Sequence, residues 1–211
     1  TYMQSISSLM GTQTLLPIIQ TNSVEEGVNI ARAMQQAGLH SVEVVLRSEA
    51  SLQALSEIKR AFPKLLVGAG TVYNTTILDA AINAGADYIV TPTVTNSLLL
   101  AMLSSGIPFI PGVQNMRDIA EVMEHGITEM KLFPAELSGG VAFLKAISSL
   151  FKHIQFCPTG GVNPANKDSY LALPNVFAVG GTWVAKAEWV AAGQWAEITQ
   201  ACVAANSFKA S

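Results

Sequence analysis

The chain has 211 residues, half of them hydrophobic, which suits one large domain with its own core. Charged residues make up only 13% and the net charge is −3. Without a basic stripe, this composition argues against a nucleic-acid partner, and two cysteines, Cys157 and Cys202, are too few for a disulfide framework.

Two thiols in a chain of this length fit a reducing, cytoplasmic setting. No secretory segment is expected at the start, and Met3, after Thr1, reads as a native initiation point. Typical soluble domains carry roughly 25% charged residues. The surface here is therefore rich in small, neutral and apolar groups, which fits either a weakly charged monomer or a homo-oligomer that hides part of it, with the oligomer favoured.

A helix is predicted at Gln4–Met10, followed by a strand at Leu15–Ile19. Val24, Val28 and Ala31 then recur at helical spacing. The second strand, Val42–Leu46, is followed by a helix marked by Leu52, Leu55 and Ile58. Further strands are predicted at Leu65–Ala69, Tyr88–Val90, Pro108–Ile110, Met130–Phe133, Ile154–Cys157 and Val176–Val179, with a last helix at the C-terminus. Gly38, Gly85, Gly106 and Gly126 stand where helices end before the next strand, the position that favours a left-handed cap. The stretch Tyr88–Met116 has no charge, but Pro92, Gly106, Pro108 and Pro111 divide it into strand, turn, helix and strand. A membrane span needs ~20 apolar residues in one run.

Strand–helix alternation implies parallel strands with right-handed crossovers. About eight such units predict a (β/α)8 TIM barrel with an N-terminal helix, forming a single domain over residues 1–211. An open doubly wound sheet is the alternative, but no Gly-x-Gly-x-x-Gly sequence follows the first strand.

Chemistry concentrates at the C-terminal ends of barrel strands. Lys131 interrupts the apolar sixth strand. Burial disfavours an ammonium, and a neutral amine attacks carbonyl carbon, so this position points to Schiff-base chemistry. In the second strand, Glu43, Val45 and Arg47 share one face, while Val42, Val44 and Leu46 share the other. The apolar face should pack on helices, which turns both charges inward. Glu43 then suits proton transfer beside Lys131, and Arg47 suits an anion clamp. A structural Glu43–Arg47 pair, or a salt bridge from Lys131 to Glu43 or Glu136, would be the non-catalytic reading. Gly160-Gly161 after the seventh strand and Gly180-Gly181-Thr182 after the eighth stand where this fold commonly cradles phosphate. Thr71, after Gly68-Ala69-Gly70, offers a hydroxyl for a carboxylate or a simple turn cap. His40, His125 and His153 precede strands, at the opposite face, and no cluster has metal-ligand spacing. The three tryptophans, Trp183, Trp189 and Trp195, read as packing.

The segments Val-Glu-Val-Val-Leu-Arg (42–47), Gly-Ala-Gly-Thr-Val (68–72), Lys-Leu-Phe-Pro-Ala-Glu (131–136), Phe-Cys-Pro-Thr-Gly-Gly (156–161) and Gly-Gly-Thr-Trp (180–183) resemble the motif set of the KDPG/KHG aldolases. These are class I aldolases acting on 2-keto-3-deoxy-6-phosphogluconate (KDPG) or 4-hydroxy-2-oxoglutarate (KHG). The resemblance implies that Lys131 is the Schiff-base lysine and Glu43 the general acid/base, acting partly through water. It implies that Arg47 and Thr71 surround the pyruvyl carboxylate, with Thr159 beside them and Phe133 near the imine. Gly160, Gly161, Gly181 and Thr182 match the phosphate site. It further implies no cofactor or metal, a small keto-acid phosphate as substrate, and a cytoplasmic homotrimer. A related acid, KHG or a galactonate-derived keto acid, and a silent sugar-phosphate-binding barrel are the alternatives. Three departures bear on substrate preference: Thr93 in Thr-Pro-Thr (91–93), where relatives commonly have Pro then Gly; Leu132 for a frequent Phe; and Thr182 for a frequent Ser.

Overall fold

Short apolar runs make the strands, and capped amphipathic segments make the helices that cover them. The computed structural model describes residues 4–206, so Met3 lies outside the described residues. The strands are β1 (Leu15–Ile19), β2 (Ser41–Val45), β3 (Leu66–Gly70), β4 (Tyr88–Val90), β5 (Phe109–Ile110), β6 (Gly112–Val113), β7 (Glu129–Leu132), β8 (Gln155–Pro158) and β9 (Val179–Gly181). The helices are α1 (Ile6–Met10), α2 (Val24–Gln36), α3 (Ser51–Ala61), α4 (Thr75–Asn83), α5 (Asn96–Ser105), α6 (Met116–Met123), α7 (Gly140–Ile147), α8 (Lys167–Leu171), α9 (Ala187–Ala191) and α10 (Trp195–Ala205). Ser5, Ser23, Asn74, Thr95 and Asn115 cap helices by accepting the backbone N–H three residues on. Gly38, Gly85, Gly106 and Gly126 have positive φ, as a left-handed helix end requires. None of the helices among the described residues is long and apolar enough to cross a membrane.

All strand pairs are parallel. One curled sheet has the order β5-β4-β3-β2-β1-β9 and the other β6-β7-β8. The fold is thus α/β and barrel-like, but its ladder is not one continuous ring. The expected fifth strand, Pro108–Ile110, is β5, which pairs with β4. Past Pro111, which has no N–H to give a ladder, an unexpected short strand, β6, pairs with β7 instead. The last segment is linked to the β8 region by two isolated bridges, Phe156 with Val176 and Thr159 with Gly180. Phe177 N–H donates to Phe156, but Val179 N–H donates to Thr14, so this segment changes partner midway. That change explains why β9 begins where the expected eighth strand ended.

Period-two alternation sorts the core into two layers. Leu15, Ile19, Val42, Val44, Val67 and Ala69 meet the helices, together with Ile30, Met34, Leu55 and Ile58. Leu16, Tyr88, Val90, Ile110, Cys157, Phe177 and Ala178 form a second, inner cluster. Ile6 and Met10 of α1 belong to that inner cluster, so the N-terminal helix plugs it from the end where strands begin. Glu129, the first residue of β7, holds α1 by accepting the Ser7 N–H at 3.1 Å. The C-terminal ends of the strands are left open for a site.

Candidate active site

β2 sends Glu43 inward, where it is 2% exposed, and β7 sends in Lys131, which is 4% exposed. Their neighbours are small. Glu43 pairs in register with Gly68 and Val45 with Gly70. A Cβ on Gly70 would lie 2.8 Å from the Glu43 carboxyl carbon and still closer to Oε2, so only glycine leaves room for this carboxylate. Lys131 pairs with Gly112 on one side and Cys157 on the other. Its Nζ lies 4.6 Å from the centre of the Phe133 ring. No carboxylate among the described residues lies within 4.0 Å of that amine. Glu136 is engaged elsewhere, accepting from Tyr170 and Asn166. Glu43 Oε2 is buried with no hydrogen-bond partner. A buried carboxylate oxygen without a donor is costly, and no ion pair with the amine of the same cavity offsets that cost, an expense of the kind that suits a reactive site.

Glu43, Lys131, Phe133, Thr159, Gly160, Gly161, Gly181 and Thr182 line one cavity of about 220 Å³, and Arg47 stands at its rim. Nine of the ten sequence-predicted site residues therefore meet in one place. The tenth, Thr71, does not line the cavity but accepts the Arg47 Nε–H at 2.9 Å. Thr71 has φ of 60°, an uncommon conformation for a β-branched residue. It orients the Arg47 fork without filling the pocket. Thr93 does not line the cavity either. Its neighbour Thr91 is buried and accepts the Gly112 N–H at 2.9 Å, which ties that loop to β6.

Gly160 and Gly161 have φ of 100° and 77°, so the turn after β8 is closed to other residues. The backbone N–H groups of Gly161 and Thr182 find no backbone acceptor among the described residues, whereas the Gly160 N–H faces Gly180 O across the Thr159–Gly180 bridge. Two loops thus present open donors to the same cavity, which suits an anion. Thr159 Oγ1 lies against Gly180, where a Cβ would collide with it, and the Trp183 ring lies against Gly181 in the same way. Cys157 sits behind the amine. Burial pushes its thiol up to about 12, partly offset by the Lys131 charge and reinforced by that of Glu43.

Ile18, Gln20, Val45 and Val162 also line the cavity and were not singled out in the sequence. Gln20 directly follows β1, and its position just past a strand end is the signal that would have found it. A second cavity of about 490 Å³ shares Gln20, Val45 and Arg47 and extends toward α9.

Among curated relatives, the KHG/KDPG aldolase of Escherichia coli (strain K12) is 39% identical over 184 residues, 87% of this chain and 86% of that protein. The 2-dehydro-3-deoxy-phosphogluconate aldolase of Pseudomonas aeruginosa is 42% identical over 179 residues, 85% and 81% of the two chains. Among solved structures, the KDPG aldolase of Legionella pneumophila, with pyruvate captured as a covalent carbinolamine, superposes with a TM-score of 0.93 at 37% identity. That match covers 97% of this chain and 99% of the other. The KDPG and KHG aldolase family model matches residues 6–201. With its fold, its buried amine and its relatives in agreement, the chain belongs to the KDPG and KHG aldolase family.

Proposed function

We propose that this aldolase cleaves KDPG to pyruvate and glyceraldehyde 3-phosphate through a Schiff base on Lys131. The observation that carries the reading is an amine and a carboxylate buried in one cavity, with no ion pair between them. The Lys131 amine attacks the C2 ketone, and loss of water gives an imine. Glu43, through a water in the space beside Oε2, takes the C4 hydroxyl proton. The C3–C4 electron pair moves into the protonated imine, the aldehyde leaves, and the enamine is reprotonated at C3. Hydrolysis then frees pyruvate and restores the amine. Arg47, oriented by Thr71, suits the substrate carboxylate, whose shape matches a guanidinium fork. The open N–H donors of Gly161 and Thr182 suit the phosphate. Phe133 covers one side of the imine, and Thr159 flanks the pocket.

The same reading takes the two sheets as one closed (β/α)8 ring in a single domain. The direct run of β5 into β6 and the two bridges from the β8 region to the last strand segment support it. A cytoplasmic homotrimer accords with the family, with the sparse charge, and with exposed apolar side chains such as Tyr73, Met116 and Leu137. Light scattering at several concentrations measures the subunit number.

Reduction with borohydride in the presence of pyruvate is expected to add one pyruvyl unit to Lys131, located by peptide mass. Lys131→Ala is expected to abolish both adduct and turnover. An unlabelled Lys131 in an otherwise folded protein would end this mechanism, and ligand-dependent stabilisation without cleavage would identify a silent binding barrel. KHG is the second substrate to assay, since the Escherichia coli relative carries both substrates in its name. The ratio of kcat/KM for KDPG and KHG decides which one the site prefers.

A further inference from the structure

The turn that carries Gly160 and Gly161 is held from behind by side chains that never reach the cavity. Glu136, just past β7, donates its backbone N–H to Gly160 O at 3.1 Å. Its carboxylate accepts from the Tyr170 hydroxyl at 2.5 Å and from Asn166 Nδ2 at 3.3 Å. The same Asn166 amide donates to Gly161 O at 2.9 Å, and Asn166 Oδ1 accepts the Asn163 N–H at 2.8 Å. The Glu136 stem occupies the place where a Cβ of Gly161 would stand, 2.6 Å from Cγ. Gly140 leaves room for the phenol, since a Cβ there would lie 3.0 Å from the Tyr170 oxygen. Among the described residues Glu136 has no cationic partner, so two neutral donors alone fix its carboxylate.

We propose that Tyr170, Glu136 and Asn166 form a latch that holds the Gly160–Gly161 turn and sets the orientation of the Gly161 N–H, and through it the grip on the phosphate end of the substrate. The inference rests on the glycine turn being the phosphate cradle. The ring of Tyr170 is fully buried, so its hydroxyl has one fixed direction, and that direction is toward Glu136. Burial and the neighbouring carboxylate also raise the phenol above its ordinary range, which keeps the donor proton in place at working pH. Without that donor the carboxylate turns to solvent, Asn166 loses one acceptor, and the turn gains freedom. Donors that must be ordered on binding hold an anion less tightly than donors already in place. None of the three residues touches the reacting carbons, so each is a positioning residue.

The test is a split between substrates. Tyr170→Phe keeps the buried ring and removes only the hydroxyl. It is expected to raise KM for KDPG about fivefold to tenfold, the size of one lost hydrogen bond, with kcat within about twofold of wild type. The inhibition constant for inorganic phosphate is expected to rise in parallel, while kcat/KM for KHG, which has no phosphate, stays within about twofold. Asn166→Ala is expected to follow the same pattern and serves if Tyr170→Phe does not fold. Glu136→Gln keeps an acceptor for the phenol and is expected to retain wild-type KM, whereas Glu136→Ala matches Tyr170→Phe. Equal losses on both substrates, no loss on either, or Glu136→Gln behaving as Glu136→Ala would overturn the latch. Wild-type kinetics separate the two levels of the reading. If wild type neither prefers the phosphorylated acid nor is inhibited by inorganic phosphate, the cradle is wrong and the latch falls with it. If wild type does both and the variants lose neither, the latch alone is wrong.

Discussion

Gly70 has no side chain to give up, because the Glu43 carboxylate stands in its place. Gly70→Ala is therefore expected to displace that carboxylate and lower kcat by about 10²-fold, since a shift of ~1 Å at a reacting group costs that much. The steady-state rate of pyruvate release checks it, with circular dichroism as the control for folding. Glu43→Gln keeps the shape but not the base, and is expected to slow turnover by about 10²–10⁴-fold. Glu43 and Lys131 stood out in the sequence because charge inside an apolar strand has few bland explanations, and Arg47 because it follows the same alternation just past the end of β2. The Tyr170–Glu136–Asn166 cluster was not. Its bonds span 34 and 30 residues, and a tyrosine and an asparagine near a short helix carry no local sign of their partner. Thr71 was legible as a hydroxyl near the site, yet its task of aiming Arg47 depends on a backbone turn that no residue pattern announces.

Gln13 shows how the strands are tied below the site. It is 4% exposed, and its amide donates to Leu15 O at 2.6 Å and Ser41 O at 2.8 Å. Its carbonyl oxygen accepts the N–H groups of His40 and Ser41. One side chain thus joins the starts of β1 and β2. Gln13→Ala leaves these buried backbone groups without partners and is expected to cost about 3 kcal/mol, read as a lower urea midpoint at unchanged slope. The strands themselves were found in the sequence to within a residue or two, because apolar runs between glycine-capped helices are strong signals. What was missed was β6, the two residues past Pro111, which is defined by its pairing with the distant β7 and not by any apolar run of its own. The closing segment failed for the same reason, since it changes partner midway.

Across the described residues, four weakly acidic groups are buried in neutral form. Burial pushes the thiols of Cys157 and Cys202 up to about 12 and raises the phenols of Tyr88 and Tyr170 above their ordinary range. An acid whose folded value lies above its unfolded one favours folding in full below the unfolded value. That contribution is lost as pH climbs past it, because the unfolded chain releases its proton first. Stability is thus expected to be flat from neutrality to about pH 9, the ordinary range of a thiol. Above that it falls by about 1.4 kcal/mol per pH unit for each group in play. Urea unfolding at pH 8 and pH 10.5 checks the sign, and equal stability at the two would show that these groups are not sealed off.

The thiol of Cys157 lies one strand over from Lys131, yet only 2% of that residue is exposed. A small electrophile entering by the mouth therefore meets nitrogen before sulfur. Alkylating agents such as iodoacetamide are expected to leave the folded protein unmodified, while oxo acids with a reductant label it once. Such chemoselectivity makes active-site titration in a crude mixture practical with a carbonyl reagent, where a sulfur-directed probe would report only on unfolded chains.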